Sequence, residues 1–139
     1  MPMPKISPYL NLDDARTALN FYKDCFGGEI FIMTVAETPI AKQMPPEAQN
    51  KVMHASLTSD QVSILISEMR GPEGFVRGNT VSMMVNCVSE AEVQQIFGKL
   101  SPGGNVMMAP GRQFWGAVFA SFTDRFGIQW LLNYPLSQQ

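Results

Sequence analysis

The segment ASFTDRFGIQWLLN (Ala120–Asn133) repeats the pattern of an earlier segment, ASLTSDQVSILIS (Ala55–Ser67). Both begin with Ala-Ser, pass through an apolar residue to Thr, turn through polar residues and end in a second apolar run. After a one-residue slip in the turn, Leu131 aligns with Leu65. Each segment predicts two strands joined by a hairpin turn, and their similarity predicts an internal duplication.

A second repetition lies upstream of each hairpin. YLNLDDARTALNFYKDCFGGEIFIM begins at Tyr9, and MVNCVSEAEVQQIFGKLSPGGNVMM begins at Met84. In both, an apolar strand leads into a segment with apolar residues at helical spacing, which ends at a Gly-Gly pair. The proline-rich segment TPIAKQMPPEAQN, residues 38–50, occurs in the first half only. Two repetitions in the same order support a duplicated fold with one insertion.

Each half therefore predicts the element order βαβββ. The predicted strands are Ile6–Leu12, Glu29–Val35, Val52–Thr58 and Val62–Glu68, then Thr80–Cys87, Asn105–Ala109, Ala117–Thr123 and Ile128–Tyr134. Asp13 or Asp14 can cap the first helix, and Ser89 with Glu92 forms a capping box on the second. We predict an α+β fold of two tandem βαβββ modules, about 1–70 and 78–139, in one domain spanning 1–139.

Composition narrows the class of protein. A chain of 139 residues with 45% hydrophobic and 16% charged residues is typical of one globular domain. A net charge of −2 with ten scattered basic residues argues against a nucleic-acid partner. There is no transmembrane run and no leader pattern, so we expect a cytoplasmic protein with no membrane partner. Cys25 and Cys87 form no CxxC pair and are expected to be buried free thiols.

Four motifs, together with the duplicated architecture, carry a resemblance to a known family: ISPYLNL, NFYKDCFGGEI, MHASL and the ending FW…FTDRFGIQWLLN. With these the chain resembles the vicinal oxygen chelate superfamily of glyoxalase I, bleomycin-resistance proteins and extradiol dioxygenases. More narrowly it resembles the PhnB-like branch, often labelled demethylubiquinone methyltransferase-like. The resemblance covers essentially the whole chain. It implies a cup-shaped mixed sheet with helices on its outer face, a small-molecule ligand inside the cup, and often a homodimer.

The resemblance also implies a divalent metal held by His and Glu side chains from the first and last strands of each module. Here the matching positions fall on or beside Ser7 in the first strand and on Leu65 and Leu131 in the last strands. The strand Thr80–Asn86 offers neither His nor a carboxylate. These residue types do not make a transition-metal site. We therefore predict no metal ligands and no cofactor.

The remaining candidates for chemistry are few. His54 is the only histidine, and alternation along its strand places it opposite the more apolar face, where an imidazole can act as a base or bind a ligand. A hydrogen-bonded core histidine is the equally weighted alternative. Glu68 is the nearest carboxylate, so His54 and Glu68 are the predicted catalytic pair, although a strand-end Glu is usually solvated. A divalent metal at an atypical His54/Glu68 site remains open.

The other candidates are predicted ligand contacts, each against a structural alternative. Arg112 can anchor an anionic group with its planar guanidinium, and Trp115 can line the mouth of the cup. On the last strand of the second module, two side-chain amides share the face of Leu131. On the last strand of the first module, serine hydroxyls share the face of Leu65. The predicted ligand-binding set is Ser7, Tyr9, Ser67, Arg112, Trp115, Gln129 and Asn133.

The sequence is compatible with three candidate functions. The first is a small-molecule-binding member of the superfamily without the usual metal quartet. The second is a metal-dependent lyase, isomerase or dioxygenase with an atypical site, and the third is a non-catalytic protein that sequesters a drug or toxin. A methyltransferase is disfavoured, since no glycine-rich loop follows the first strand. Residues 38–50 form a lid over the ligand, a plain surface loop or a dimer contact.

Overall fold

The computed structural model describes residues 6–136. Within them the chain forms two copies of one unit, each a four-stranded mixed sheet with one α-helix. The first unit contains β1 (Tyr9–Asn11), α1 (Ala15–Phe26), β2 (Glu29–Thr34), β3 (Val52–Thr58) and β4 (Ser63–Ser67). The second contains β5 (Met83–Asn86), α2 (Glu90–Leu100), β6 (Asn105–Arg112), β7 (Ala117–Thr123) and β8 (Gln129–Pro135). In the sequence, the boundary between the two compact units falls between Val76 and Arg77.

Both sheets have the same strand order, β1-β4-β3-β2 in the first and β5-β8-β7-β6 in the second. The first and last strands of each unit are parallel, because a helix carries the chain back over the sheet, and the other pairs are antiparallel. Tyr9 lies beside Leu65, and Met84 lies beside Leu131. The predicted α+β fold of two βαβββ modules is therefore confirmed. The single-domain assignment stays a prediction, and its ends, residues 1–5 and 137–139, lie outside the described residues.

Side-chain caps start both helices as the sequence indicates. Asp14 caps α1: one carboxylate oxygen accepts a hydrogen bond from the backbone N–H of Thr17 at 3.1 Å and the other from the Thr17 hydroxyl at 2.7 Å. Ser89 caps α2 by accepting from the backbone N–H of Glu92 at 3.0 Å. The Glu92 carboxylate accepts from the N–H of Val88 at 2.9 Å, one residue before the cap. These bonds satisfy N–H groups that have no partner inside a helix.

Each helix covers one face of its sheet. In α1 the buried residues Ala15, Ala18, Leu19 and Tyr22 recur at helical spacing, and in β3 and β4 the fully or nearly fully buried residues Ala55, Leu57, Ile64 and Ile66 alternate with more exposed ones. In the second unit Phe97 of α2 contacts Phe122 of β7 edge to face, with ring centroids 5.5 Å apart. Because side chains alternate along a strand, the intervening residues point to the opposite side of each sheet. We call that side the helix-free face.

Six of the eight strands differ from their predicted bounds, and β1, β5 and β6 differ by three residues at one end. β1 begins at Tyr9 rather than Ile6, because Pro8 has no N–H to donate; its carbonyl still accepts from the N–H of Leu65. β6 continues to Arg112 rather than ending at Ala109. It lies at the edge of its sheet and its register shifts twice, which lets an edge strand accommodate Pro110. No helix among residues 6–136 is long and apolar enough to cross a membrane.

The segment 38–50 and the residues just before it form a compact loop of three short 3₁₀ helices, Val35–Glu37, Pro39–Gln43 and Pro46–Ala48. The side-chain amide of Gln49 donates to the carbonyls of Ala41 at 2.9 Å and Met44 at 3.1 Å. The ends of the loop are joined as well, since the N–H of Ala36 donates to the carbonyl of Gln49 at 2.9 Å. These bonds order the segment internally. Whether it acts as a lid stays a prediction.

The Gly-Gly pairs that follow the helices bring the chain against the third strand of each unit. A Cβ on Gly28 would lie 2.9 Å from the carbonyl oxygen of Thr58. A Cβ on Gly104 would overlap the carbonyl oxygen of Thr123, the residue aligned with Thr58 in the duplication. Because backbone atoms cannot move aside as a flexible side chain can, both positions require glycine for the close approach, and Gly28 also has a positive φ of 107° that favours glycine.

We predict that Gly104→Ala destabilises the protein by about 3 kcal/mol or more, since the methyl group has no room beside Thr123. Gly98→Ala is the matched control: Gly98 lies within α2, and a Cβ there would meet nothing within 4 Å. That control should stabilise the fold by about 0.5–1 kcal/mol through helix propensity. Urea unfolding followed by tryptophan fluorescence measures both, and equal stabilities of the two variants would contradict the expected close contact.

Candidate functional site

His54 lies on the helix-free face of the first sheet, as its strand pattern predicts. It is directly opposite Met33 on β2. Its Nδ1 atom lies 3.3 Å from the hydroxyl oxygen of Tyr9, and the two ring centroids are 5.8 Å apart with the rings tilted by 32°. Two residues predicted separately as a catalytic and a ligand-binding group are thus joined by a hydrogen bond. The side chain of His54 is partly exposed rather than enclosed in the core.

A row of side chains crosses the helix-free face of the first sheet beside this pair. Tyr9 on β1 lies beside Leu65 on β4, Leu65 is opposite Ser56 on β3, and Ser56 is opposite Phe31 on β2. Tyr9 and Phe31 are 48% and 51% exposed, which is high for aromatic residues in strands. We call these four residues the first central row. Three strand spacings separate its two aromatic ends, about 14 Å.

Glu68, the second predicted catalytic residue, has a structural role. One carboxylate oxygen accepts a hydrogen bond from the N–H of Ala15, the first residue of α1, and the other accepts from the N–H of Val52, the first residue of β3, both at 2.8 Å. The side chain is buried. Neither bond involves His54, so the structure does not join the predicted catalytic pair. Instead, Glu68 ties the last strand of the first unit to the start of its helix.

The predicted serine contacts are also engaged within the protein. The Ser7 hydroxyl lies 3.1 Å from that of Ser63. Ser67 is buried; its hydroxyl donates to the carbonyl of Met53 at 2.8 Å and accepts from the N–H of Met69 at 3.0 Å. Both hydroxyls therefore have protein partners that a ligand contact would have to replace or share.

The second sheet has a corresponding row on its helix-free face. Met84 on β5 lies beside Leu131 on β8, Leu131 is opposite Ser121 on β7, and Ser121 is opposite Met108 on β6. We call these four residues the second central row. Gln129 and Asn133 flank Leu131 on the same face, as predicted from alternation. The Gln129 amide donates to the carbonyl of Val81 at 3.0 Å.

Trp115 joins an aromatic cluster at one end of this face. Its ring is edge to face with Phe119, at 5.6 Å between centroids, and with Phe114, at 5.1 Å. Phe119 is opposite Asn133 on β8, so the structure brings Trp115 towards one of the predicted amides. Trp115 is 50% exposed and Phe114 is 97% exposed. Phe114 is exposed because it lies in the turn between β6 and β7.

Arg112 lies apart from the other predicted ligand contacts. It is opposite Val118, whose side chain is fully buried on the helix side of the second sheet. Its guanidinium donates to the carboxylate of Glu90, the first residue of α2, at 3.1 Å. Both side chains are substantially exposed, so the ion pair contributes little to stability. The structure does not bring Arg112 together with Gln129 or Asn133.

Among residues 6–136, neither Cys25 nor Cys87 forms a disulfide. Cys87 is buried, whereas Cys25 is only partly buried. Burial, reinforced by the nearby Glu92 carboxylate and opposed by a hydrogen bond from the backbone at Asn133, raises the pKa of the Cys87 thiol to about 11. The thiol is therefore protonated at neutral pH, and a protonated thiol is a poor nucleophile.

The positions that were aligned with metal ligands hold no His or carboxylate. Ser7 precedes β1 and its hydroxyl lies 3.1 Å from that of Ser63, and the last strands carry Leu65 and Leu131. Among residues 6–136, no three His, Cys, Asp or Glu side chains are grouped so that they could hold a metal ion. Carboxylate and imidazole groups are the usual ligands of such metals, and aliphatic side chains cannot replace them. These residues do not fit the metal that the fold family implies.

The fold and its duplicated sheets define the class of protein. The chain matches the family model of the Glyoxalase/Bleomycin resistance protein/Dioxygenase superfamily over residues 5–132, and it belongs to that superfamily. The resemblance inferred from the sequence is confirmed at this level, and PhnB-like proteins are among its structural neighbours.

Individual relatives span nearly the whole chain. The crystal structure of protein PA1353 from Pseudomonas aeruginosa is 31% identical, with a TM-score of 0.81 over 96% of this chain and 98% of that one. A putative 3-demethylubiquinone-9 3-methyltransferase, PhnB protein, from Bacillus cereus has the same fold, with 23% identity and a TM-score of 0.71 over 94% and 99% of the two chains. Protein YjdN of Escherichia coli K12 is 24% identical over 96% of this chain and 97% of its own.

Sequence reasoning missed two features of the site. Phe31 was not among the candidates, although an aromatic residue two positions after Glu29 and two before Met33 shares the helix-free side of β2 by strand alternation. The bond between Tyr9 and His54 was also missed. It joins residues 45 positions apart, and nothing in the local pattern of either strand indicates it.

Proposed function

We propose that the protein binds a small, uncharged and partly aromatic molecule on the helix-free face of each sheet, without a metal ion of the family type. One observation carries the proposal: the two central rows hold aromatic, aliphatic, thioether and hydroxyl side chains, and they include Leu65 and Leu131, where the family resemblance implies metal ligands. Neither row contains a formally charged residue. A charged ligand would lose hydration there without gaining an ionic partner.

The exposure of the aromatic residues supports a planar ligand. Tyr9 and Phe31 end the first central row half exposed, and Trp115 is half exposed beside Phe119. Contiguous exposed apolar groups, such as Phe114 and Trp115 beside Phe119, commonly mark a binding surface. Aromatic rings also provide flat, rigid contact area, which suits a ring-containing molecule.

We predict that charge on the ligand weakens binding. The compounds 2-acetylnaphthalene, 2-naphthoate and 2-naphthylmethylammonium share one ring system and differ in charge. Isothermal titration calorimetry should show saturable binding of the uncharged ketone and affinity lower by about tenfold or more for each ion, which corresponds to about 1.4 kcal/mol. Equal or tighter binding of either ion, or no binding of the ketone at millimolar concentration, would overturn the proposed function.

Substitution of Trp115 tests whether the ligand binds at the aromatic cluster. Trp115→Ala should weaken binding of the ketone by about tenfold, since it removes a half-exposed aromatic surface. Val88→Ala is the matched control, because Val88 is a 78% exposed apolar residue of the same unit away from the second central row. Similar affinities for the two variants would exclude Trp115 from the ligand surface.

Both carboxylate oxygens of Glu68 already accept hydrogen bonds from the backbone. This supports a protein that binds a small molecule over one with an atypical His54/Glu68 metal site. The methyltransferase description of the Bacillus cereus protein is not extended to this chain. A homodimer, which the family resemblance implies, and a cytoplasmic location, which the sequence favours, are retained as proposals. Light scattering on the purified protein tests the first.

A further inference from the structure

We infer that Tyr9 holds the neutral side chain of His54 in its Nε2–H tautomer, so that the imidazole presents a hydrogen-bond donor to a ligand oxygen. The structural basis is the 3.3 Å contact between the Tyr9 hydroxyl and Nδ1 of His54. In a neutral imidazole one nitrogen donates and the other accepts, and the bond made by one nitrogen decides the role of the other.

The chemistry of the two groups sets the direction of this bond. A phenolic hydroxyl is a stronger donor than a neutral imidazole N–H, and an imidazole nitrogen is a stronger acceptor than a phenolic oxygen. Tyr9 therefore donates and Nδ1 accepts, which leaves the proton on Nε2. Within residues 6–136, no hydrogen bond occupies Nε2. The donor is thus available beside the first central row.

The Nε2–H donor narrows the class of ligand that the protein would bind. This conclusion rests on the proposed function. A donor on a face whose central row carries no charge favours an uncharged acceptor, such as the carbonyl oxygen of a ketone, quinone or amide. Tyr9 is a positioning residue in this scheme, because it acts on the ligand through His54. The aromatic surfaces of Tyr9 and Phe31 would contact the rest of the molecule.

The tautomer can be measured without any ligand. His54 is the only histidine, so a long-range ¹H–¹⁵N correlation spectrum of the labelled full-length protein shows a single imidazole. At a pH where the ring carries no charge, the expected spectrum has a protonated Nε2 and an unprotonated Nδ1. Tyr9→Phe should shift the spectrum towards a mixture of the two tautomers. Phe31→Leu, at the other end of the same row, should leave it unchanged.

Two spectral outcomes would overturn the inference: a protonated Nδ1 in the wild type, or a tautomer that Tyr9→Phe does not alter. A merely structural role of Tyr9 would change stability without changing the tautomer. Circular dichroism of Tyr9→Phe verifies that the variant is folded, as is expected for an exposed position.

The donor role is tested separately with a pair of probes. 2-Acetylnaphthalene and 2-ethylnaphthalene are similar in size, but only the first carries an acceptor oxygen. The acetyl compound should bind at least about fivefold more tightly to the wild type, equivalent to about 1 kcal/mol for one hydrogen bond. His54→Ala should remove that difference. Equal binding of both probes to the wild type would overturn the donor role, whereas failure of both to bind would overturn the proposed function and leave the tautomer result standing.

Discussion

Asp124→Ala is expected to destabilise the protein by about 4 kcal/mol, since it removes the acceptor of three hydrogen bonds at a buried turn. One carboxylate oxygen of Asp124 accepts from the N–H groups of Phe126 and Ile128 at 2.8 and 3.0 Å. The other accepts from the indole N–H of Trp130 at 2.8 Å. Asp124 is only 2% exposed, so water cannot readily replace the lost acceptor. Urea unfolding measures the change in free energy.

The aligned turn of the first unit provides the control for this prediction. There the Ser59 hydroxyl accepts from the N–H groups of Gln61 and Val62 at 3.3 and 3.2 Å. The neighbouring Asp60 is exposed, so Asp60→Ala should change the free energy of unfolding by less than about 0.5 kcal/mol. An equally small effect of Asp124→Ala would show that the three bonds at the second turn do not stabilise the fold.

The second large effect is expected at Glu68. Glu68→Ala should cost about 3 kcal/mol, because the N–H groups of Ala15 and Val52 lose their acceptor in a buried region. Glu68→Gln should also destabilise, since an amide has one acceptor oxygen where the carboxylate provides two. A negative charge at the start of α1 is also favourable for the helix dipole, and both substitutions remove it. Thermal unfolding and urea unfolding measure these changes.

A binding measurement separates this structural role from the catalytic role considered for Glu68. Below the unfolding transition, Glu68→Gln should keep the wild-type affinity for 2-acetylnaphthalene, because neither carboxylate oxygen is directed to a ligand. Glu73→Ala, at an exposed position of the same unit, should change neither stability nor binding. Wild-type stability of Glu68→Gln combined with lost binding would instead support a functional carboxylate.

Much of the fold was predictable because its signals are local and occur twice. Strand β3 has the predicted bounds Val52–Thr58, and β7 has the predicted bounds Ala117–Thr123. The helix caps at Asp14 and Ser89 act through residues three positions away, a distance that a sequence pattern reads directly. Strand ends were less accurate where proline was involved, since its effect depends on whether the strand lies at the edge of a sheet.

The site was predicted only in part, because a polar residue in a strand has the same local pattern whatever it contacts. The side of the sheet on which His54, Gln129 and Asn133 lie follows from alternation. Their hydrogen-bond partners do not follow from alternation. Glu68 is a catalytic candidate from the sequence because it ends the predicted strand that follows the strand of His54, and the structure shows it bonded to the backbone at Ala15 and Val52.

The sequence by itself determined the duplicated βαβββ order, the superfamily and the apolar residues Leu65 and Leu131 at expected metal-ligand positions. These depend on residue identity and short-range periodicity. Only the tertiary structure decided that Asp124 and Glu68 serve the fold and that Tyr9 meets His54, because each contact depends on how strands and turns are placed in space. A hydrogen bond requires atoms within about 3 Å, and sequence spacing does not specify positions to that accuracy across neighbouring strands.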